Sequence, residues 1–398
     1  MTSRKQHRNP ARPGGAPPTR DNRSANRILL ALQRVMSRLP GGARRGPPDR
    51  ILVVRWGNVG DIVVAIPAFH ALRRLFPDAH LTLLTTPTTR NAPGARELLV
   101  NDRTFDEMIV YYADESSKPS FLYNLWKRLA ASEFSLAVCM PNDWTGLHNV
   151  SKYILLLGLT GVRRFVGFSL YTHEEFQVRQ VEALVNRLRP LGPVAVEPLP
   201  WITPRPEARA KATSLLAGSD ESGPLVVLHC GSKPMISRWR SERFAEVGRR
   251  LVQEHGATIL LTGSAGEKDL IESVAKAIRN RARSIAGQTS LEEVVAVLER
   301  ADLVVSNDTG TAHLAYAVGT PLVVVSSARA HRAVWEPYGV DYVLLREELD
   351  CHPCERHECP LHAYPRCLDL IPAEKVYQAA ASLLQSQIRG TRREELGS

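Results

Sequence analysis

The chain holds no apolar run approaching the roughly 18–20 consecutive residues that a membrane-spanning helix needs, so an integral membrane protein is not expected. Its N-terminus offers no uninterrupted apolar stretch ahead of a small-residue cleavage site, which argues against a secretory signal. Six cysteines in 398 residues are too few for a disulfide scaffold, and a reduced compartment is the default. The G-x-G-x-x-G dinucleotide fingerprint is missing; the nearest approach is G-x-x-G-D at Gly57–Asp61. Net charge is missing from nearly the whole chain. Residues 1–50 carry 12 Lys and Arg against 2 Asp and Glu, which leaves 39 of each sign in the remainder. The entire formal charge of +10 therefore belongs to a tail.

That tail is rich in Pro, Gly and Arg and is expected to be disordered to about Asn26. Ile28–Leu32, Val35, Met36 and Leu39, interrupted by Arg27, Arg34 and Arg38, suit a short basic amphipathic helix resting on an anionic membrane surface; a role-free solubilising extension is the alternative. Nucleic acid is not an expected partner, because no recognition motif or interleaved aromatics accompany the charge.

From Ile51 the pattern alternates. Strand-like runs at 51–55, 81–84, 107–111, 136–140 and 164–168 are separated by helical patterns at 62–76, 121–131 and 146–157. A proline-dense stretch, Pro190 to Pro206, reads as a linker. Alternation then restarts, with strands at 225–229, 258–262, 303–305 and 322–325, and helices at 241–254, 267–279, 291–298 and 372–387. This is α/β organisation in two doubly wound domains, with ligands expected at the carboxyl ends of the strands.

Two junctions carry chemistry. In Asp308-Thr309-Gly310-Thr311-Ala312-His313 a buried strand turns into a helix, which stops at Gly319 before Pro321. Backbone N–H groups, a hydroxyl and an imidazole at a helix N-terminus suit an anion such as a diphosphate; an ordinary Asp N-cap is the bland alternative. In Arg55-Trp56-Gly57-Asn58-Val59-Gly60-Asp61 the glycines let backbone approach a ligand, and Asp61 serves either as a helix cap or as a base.

The two junctions, with Ser237-Arg238-Trp239, Gly319-Thr320-Pro321 and the cysteine block from Cys351 to Cys359, resemble the glycosyltransferase family that includes the ADP-heptose:lipopolysaccharide heptosyltransferases (family 9) from about Ile51 to about Leu384. The cysteine block points toward the second heptosyltransferase branch. The resemblance implies a GT-B fold: two Rossmann-like domains facing across a cleft. A basic tail (1–49) would precede an acceptor-side domain (50–200), a nucleotide-sugar domain (207–370) and a last helix (371–390) crossing back to the N-terminal domain. It also implies an inverting, metal-independent transfer of heptose from ADP-heptose to the lipopolysaccharide inner core, with no cofactor. The partners would be a nucleotide-diphosphate sugar, a lipid-linked oligosaccharide and the anionic inner face of the cytoplasmic membrane. The alternatives are another nucleotide sugar or envelope glycan, or a non-catalytic nucleotide-sugar-binding relative.

On that resemblance Asp61 is the general base, with Gly60 on the acceptor side; Arg55 and Asn58 either neighbour the acceptor or donor or serve the turn. Asp308 contacts the sugar, Thr309, Gly310 and Thr311 hold the diphosphate, His313 donates to a phosphate or simply packs, and Glu267 takes the ribose hydroxyls or favours its helix dipole. Family members commonly carry a Lys two positions before the Trp at 239; here that position is Ser237, so Arg238, or failing it Lys233, must supply the charge. Cys351, Cys354, Cys359 and Cys367, with His352, His357 and His362 interleaved, have a spacing that suits a structural zinc; packing and a redox-sensitive loop compete with it.

Overall fold

The computed structural model describes residues 22–39 and 46–396, apart from 88, 91, 113, 116–117, 218–222, 328, 330–332, 353, 355–358, 360–361 and 363. The first half runs α1 (Arg23–Arg38), β1 (Arg50–Trp56), α2 (Val59–Val63), α3 (Ile66–Leu75), β2 (His80–Thr86), α4 (Ala95–Leu98), β3 (Glu107–Val110), α5 (Pro119–Ala131), β4 (Leu136–Cys139), α6 (Leu147–Leu159), β5 (Phe165–Val166) and α7 (Gln180–Asn186). Its strands form one parallel sheet in the order β3-β2-β1-β4-β5. Ile51 to Val54 are fully buried because helices cover both faces, which is why that strand reads as an unbroken apolar run.

The second half runs α8 (Pro206–Leu216), β6 (Leu225–His229), α9 (Ser241–His255), β7 (Thr258–Leu261), α10 (Lys268–Ile278), β8 (Ala282–Ser284), α11 (Leu291–Glu299), β9 (Leu303–Asn307), α12 (Gly310–Ala317), β10 (Leu322–Val325), β11 (Tyr342–Leu345), α13 (Arg366–Asp369) and α14 (Ala373–Leu396). Its parallel sheet has the order β11-β10-β9-β6-β7-β8. In each sheet the order reverses once, between β1 and β4 and between β6 and β9. At such switch points the loops leaving the carboxyl ends part in opposite directions and leave a crevice.

Several expectations change. The single helix read over 62–76 is two, because Pro67 has no N–H to continue α2 and sits instead in the first turn of α3. The expected end of disorder near Asn26 falls inside α1, where Asn26 donates to Leu170 O (3.1 Å) and accepts from Leu170 N (2.7 Å). This helix is docked: Leu29 and Met36 are buried beside α6, Met36 lying against Gly158. Each such burial stabilises by about 1.5–3 kcal/mol. Ile28, Leu30, Ala31, Val35 and Leu39 of its apolar set face outward. In the last helix, implied to cross to the N-terminal domain, Val376, Tyr377, Ala380, Leu383 and Leu384 of α14 pack with the core of the second sheet.

The linker is fixed at both ends. Glu197 takes His70 and Arg74 of α3, while the Trp201 amide donates to Ala317 O (2.7 Å) and its ring meets Tyr316 edge-on.

Candidate functional site

The turn leaving β1 wraps around its own carboxylate. Gly57 has φ +123°, and a Cβ there would collide with the Asp61 side chain. Asn58 is the N-cap of α2, and its amide donates to Asp61 Oδ2 (2.9 Å). Asp61 thus caps the helix by its third residue, so Asn58 serves the turn. Burial pushes the Asp61 pKa up to about 6, against the pull of Arg55 and with a contribution from Asp143. A carboxylate so placed is ionised at neutral pH yet much more basic than an ordinary aspartate, which suits proton abstraction from a hydroxyl.

Arg55, for which a ligand contact and a turn-serving role were both open, is fully buried. Its guanidinium donates to Asp61 O (2.9 and 2.5 Å), Met140 O (2.9 Å) and Pro141 O (3.0 Å). It bolts the turn after β1 to the turn after β4. The reason is local: Arg55 lies one residue before the end of a fully covered strand, so its side chain points into the body and must find carbonyls there.

Across the cleft, Thr309 caps α12 in extended backbone, and its hydroxyl donates to Asn307 O (3.4 Å). The first N–H groups of α12 have no acceptor within the helix, as at any helix start. Asp308 Oδ2 accepts from Ser326 Oγ (2.7 Å). His313 is buried, with Nδ1 2.9 Å from Tyr316 Oη and its ring edge-on to Trp335. Burial lowers its pKa, so the imidazole is neutral and packs rather than presenting a cation to phosphate.

The two junctions touch. A Cβ on Gly60 would lie 2.8 Å from the His313 ring, and one on Gly310 would lie 3.3 Å from Val59. Residues some 250 apart in sequence thereby form opposite walls of one crevice between the two switch points. Glycine at both positions permits the approach.

A third group lies at the carboxyl end of β6. Arg238 Nη2 donates to Ser232 O (2.8 Å) and sits 3.7 Å from Glu267 Oε1, while its Nε is buried without a partner. Glu267 accepts from Ser264 N (3.0 Å) and Ser264 Oγ (2.7 Å), a capping box, and its carboxylate lies against Gly231. Although burial opposes ionisation, the Ser264 bonds and nearby His229 and Arg238 hold its pKa below the usual value. Ser237 is buried and bonded to Ser327 (3.2 Å), so it brings no charge; Lys233 is exposed.

Sequence reasoning missed the residues that hold this geometry. Asn307 accepts the Trp239 amide (2.9 Å) and donates to Cys230 O (2.9 Å) and Gly231 O (3.1 Å), tying the end of β9 to both ends of the connection from β6 to α9 at the second switch point. Asn142 donates to Trp56 O (3.2 Å) and does the same at the first. Their signal was available: each is a polar residue at or just past the carboxyl end of a parallel strand.

Among the described residues no three His, Cys, Asp or Glu side chains gather as a metal would require, although Cys354, Cys367 and Cys359 lie near enough to Cys351 to add to the rise that burial gives its pKa. Cys367 is buried in the core of the second sheet, and His357 lies outside the described residues. A surface cavity of about 440 Å³ opens beside His70, Glu197 and Glu292 but shares no residue with either junction. The chemistry of the crevice, rather than the size of that hollow, marks the site.

Known proteins match this arrangement. The chain is 23% identical over 359 residues to lipopolysaccharide heptosyltransferase 3 of Escherichia coli, covering 83% of this chain and 98% of that one. A solved family 9 glycosyl transferase from Veillonella parvula superposes with TM-score 0.67 at 19% identity, covering 87% of this chain and all of the other. The structure of E. coli ADP-heptose lps heptosyltransferase II does so with TM-score 0.63 at 18% identity, covering 85% and 99%. These superpositions fit the two-domain GT-B architecture. The family model described as glycosyltransferase family 9 (heptosyltransferase) matches residues 122–365, more than half the chain, and the chain belongs to that family of transferases.

Proposed function

We propose that the chain is an inverting transferase that moves a heptose from ADP-heptose to an inner-core sugar of lipopolysaccharide, without a bound metal. The observation that carries the reading is the meeting of the turn that bears Asp61 with the Asp308–His313 turn, through Gly60 against His313 and Val59 against Gly310. The relatives' names supply the sugar and the acceptor.

In this reading the acceptor hydroxyl loses its proton to Asp61 as its oxygen attacks the anomeric carbon. The bond from that carbon to the phosphate oxygen breaks on the opposite face, and ADP leaves carrying the electron pair. Charge gathering on the diphosphate is met by the N–H groups of Gly310 and Thr311, the Thr309 hydroxyl and Arg238, arranged before the reaction begins. Asp308, held by Ser326, orients the sugar, and Glu267 accepts from the ribose hydroxyls.

A lipid-linked acceptor requires contact with its membrane. Ile28 and Val35 lie outward on α1 at helical spacing, Leu39 lies outward just past its end, and Leu155 and Leu159 lie outward on the neighbouring α6, with Arg27, Arg34 and Arg38 nearby. This apolar and basic surface fits the anionic inner face of the cytoplasmic membrane. No helix among the described residues is long and apolar enough to cross it.

The decisive experiment offers the enzyme a panel of nucleotide sugars with a delipidated core oligosaccharide and determines the anomeric configuration of the product. Transfer from ADP-heptose with inversion is expected. Retention of configuration, or preference for a different donor, would refute the corresponding part of the reading. The buried, uncharged Ser237 favours one competitor, a non-catalytic nucleotide-sugar binder, and binding without turnover on every donor would select it.

A further inference from the structure

A second carboxylate stands beside Asp61. Asp143 lies in the turn after β4, directly across the first switch point from the turn after β1. That turn is held on several sides: Asn142 N donates to Thr145 Oγ1 (2.9 Å), Asn142 Nδ2 to Trp56 O (3.2 Å) and Gln180 Nε2 to Asn142 Oδ1 (3.4 Å). From the other domain, Trp335 Nε1 donates to Asp143 Oδ2 (3.3 Å), and the Trp335 ring packs on His313, which in turn meets Gly60. Asp143 is therefore a member of the crevice wall, fixed before any substrate arrives.

Three polar atoms around it lack well-aligned partners. Asp143 Oδ1, Gln180 Oε1 and Tyr171 Oη are each shielded from solvent and find no well-aligned hydrogen-bond partner, although the Asp143 and Trp144 amides lie close enough to the Asp143 carboxyl to oppose the rise that burial gives its pKa. The charges of Arg187, Arg55 and Asp143 are all felt at the Tyr171 hydroxyl, and Gln180 is bonded to Asn142, next to Asp143, so the three share one neighbourhood. Orphaned buried polar atoms are costly and call for a partner. Two acceptors and one donor in a small space match a ligand rich in hydroxyls. Next in sequence, Trp144 is 56% exposed, an aromatic face at the rim against which a sugar ring can lie.

We propose that Asp143 is an acceptor-binding residue: its Oδ1 takes a hydrogen bond from a hydroxyl of the acceptor sugar, adjacent to the hydroxyl that Asp61 deprotonates, with Tyr171 and Gln180 completing the contact. This rests on the transferase reading above. It also has an electrostatic consequence. The charged groups acting on Asp61 are Arg55 from β1 and Asp143 from the turn after β4, with neutral His313 and Asp308 across the crevice; Asp143 raises the proton affinity of Asp61 and Arg55 lowers it.

The test compares wild type, Asp143→Asn and Tyr171→Phe with ADP-heptose and a delipidated core oligosaccharide, alongside calorimetric titration of ADP alone. In Asp143→Asn the acceptor KM should rise about 10- to 100-fold, the range for a hydrogen bond to a charged group, with ADP affinity unchanged. The acid limb of its kcat/KM profile should move to lower pH, because removing a negative neighbour makes Asp61 a weaker base. Tyr171→Phe should raise the acceptor KM without moving that limb. An unmoved acceptor KM in Asp143→Asn overturns the inference and leaves a structural water as the occupant. Parallel loss of acceptor and ADP affinity with a lowered melting temperature also overturns it, by making Asp143 a folding residue. Wild type that binds ADP but transfers from no nucleotide sugar overturns the transferase reading, and this inference with it.

Discussion

Replacing Asp61 by Asn separates its two roles, because the amide oxygen of Asn can still accept from the Asn58 N–H that Asp61 Oδ2 now receives. A rise in pKa from the ordinary 3.8 to about 6 corresponds to about 3 kcal/mol of preference for the neutral side chain. Asp61 keeps partial contact with solvent, which weakens the penalty, so about 1–2 kcal/mol is the working figure. The sign follows from proton binding. The folded chain holds this proton more tightly than the unfolded chain, so the associated stability is present below pH 3.8 and is lost as pH rises through about 6. Asp61→Asn has no such loss. Its melting temperature should match wild type near pH 4 and exceed it by a few degrees at pH 8, as about 1–2 kcal/mol predicts for a domain of this size. Turnover should fall about 10²- to 10⁴-fold with ADP affinity retained. Wild-type kcat/KM should decline as pH drops through about 6. Thermal scans across pH beside steady-state rates decide the matter. A variant less stable than wild type at pH 8 would make the carboxylate a net stabilising cap, and turnover within tenfold of wild type would remove it from proton transfer.

Three further outcomes follow from the same structure. Arg238→Ala should weaken ADP binding by about 1.5–3 kcal/mol, the range for a charge-assisted hydrogen bond, with little effect on acceptor KM; unchanged ADP affinity by calorimetry would hand the phosphate role to Lys233. Activity should persist in excess chelator, and a strict need for Mg²⁺ or Mn²⁺ would refute phosphate neutralisation by protein groups alone. Deleting residues 1–21 should preserve the fold, whereas deleting 1–49 removes buried Leu29 and Met36 and should destabilise by about 3–6 kcal/mol, read as a lowered denaturant midpoint. Ile28→Asp with Val35→Asp should abolish co-sedimentation with anionic vesicles, and wild-type levels of binding would leave α1 with no membrane role.

The sequence displayed what repeats and concealed what is particular. Strands such as 51–55 and 303–305 were legible because burial on both faces enforces an apolar run. Strand β8 escaped because it spans only Ala282–Ser284, with an exposed Arg283 at its centre, and β11 because its Tyr342–Val343–Leu344 face is only half-buried. Both are edge strands, where partial exposure blurs the pattern. Asp61 and the turn from Asp308 were legible because a strand, a short turn and a helix follow in immediate succession. For Arg55 the sequence left a ligand contact and a turn-serving role open, because the carbonyl that decides between them, Met140 O, lies 85 residues away. Asp143 was overlooked for the related reason that its partner is Trp335, in the other domain.

Arg55 explains why these pieces work as one site. A buried guanidinium is expensive to desolvate, and burial does lower its pKa; what offsets the cost here is a set of carbonyls in the geometry that a planar fork can satisfy. Those carbonyls belong to two different loops, so the energy that retains the charge also fixes the distance between the turn of Asp61 and the turn of Asp143. The same charge, close beneath Asp61, keeps burial from carrying that carboxyl so high that it would be protonated at neutral pH, while Asp143 pushes the other way. Position and proton affinity are therefore set together by one fully buried side chain. A lysine could not reproduce this: its single ammonium cannot span Asp61, Met140 and Pro141, and the carbonyls left over would be unsatisfied in the interior. The first crevice wall is thus built around Arg55, and the second is brought against it where Gly60 and Gly310 admit His313 and Val59.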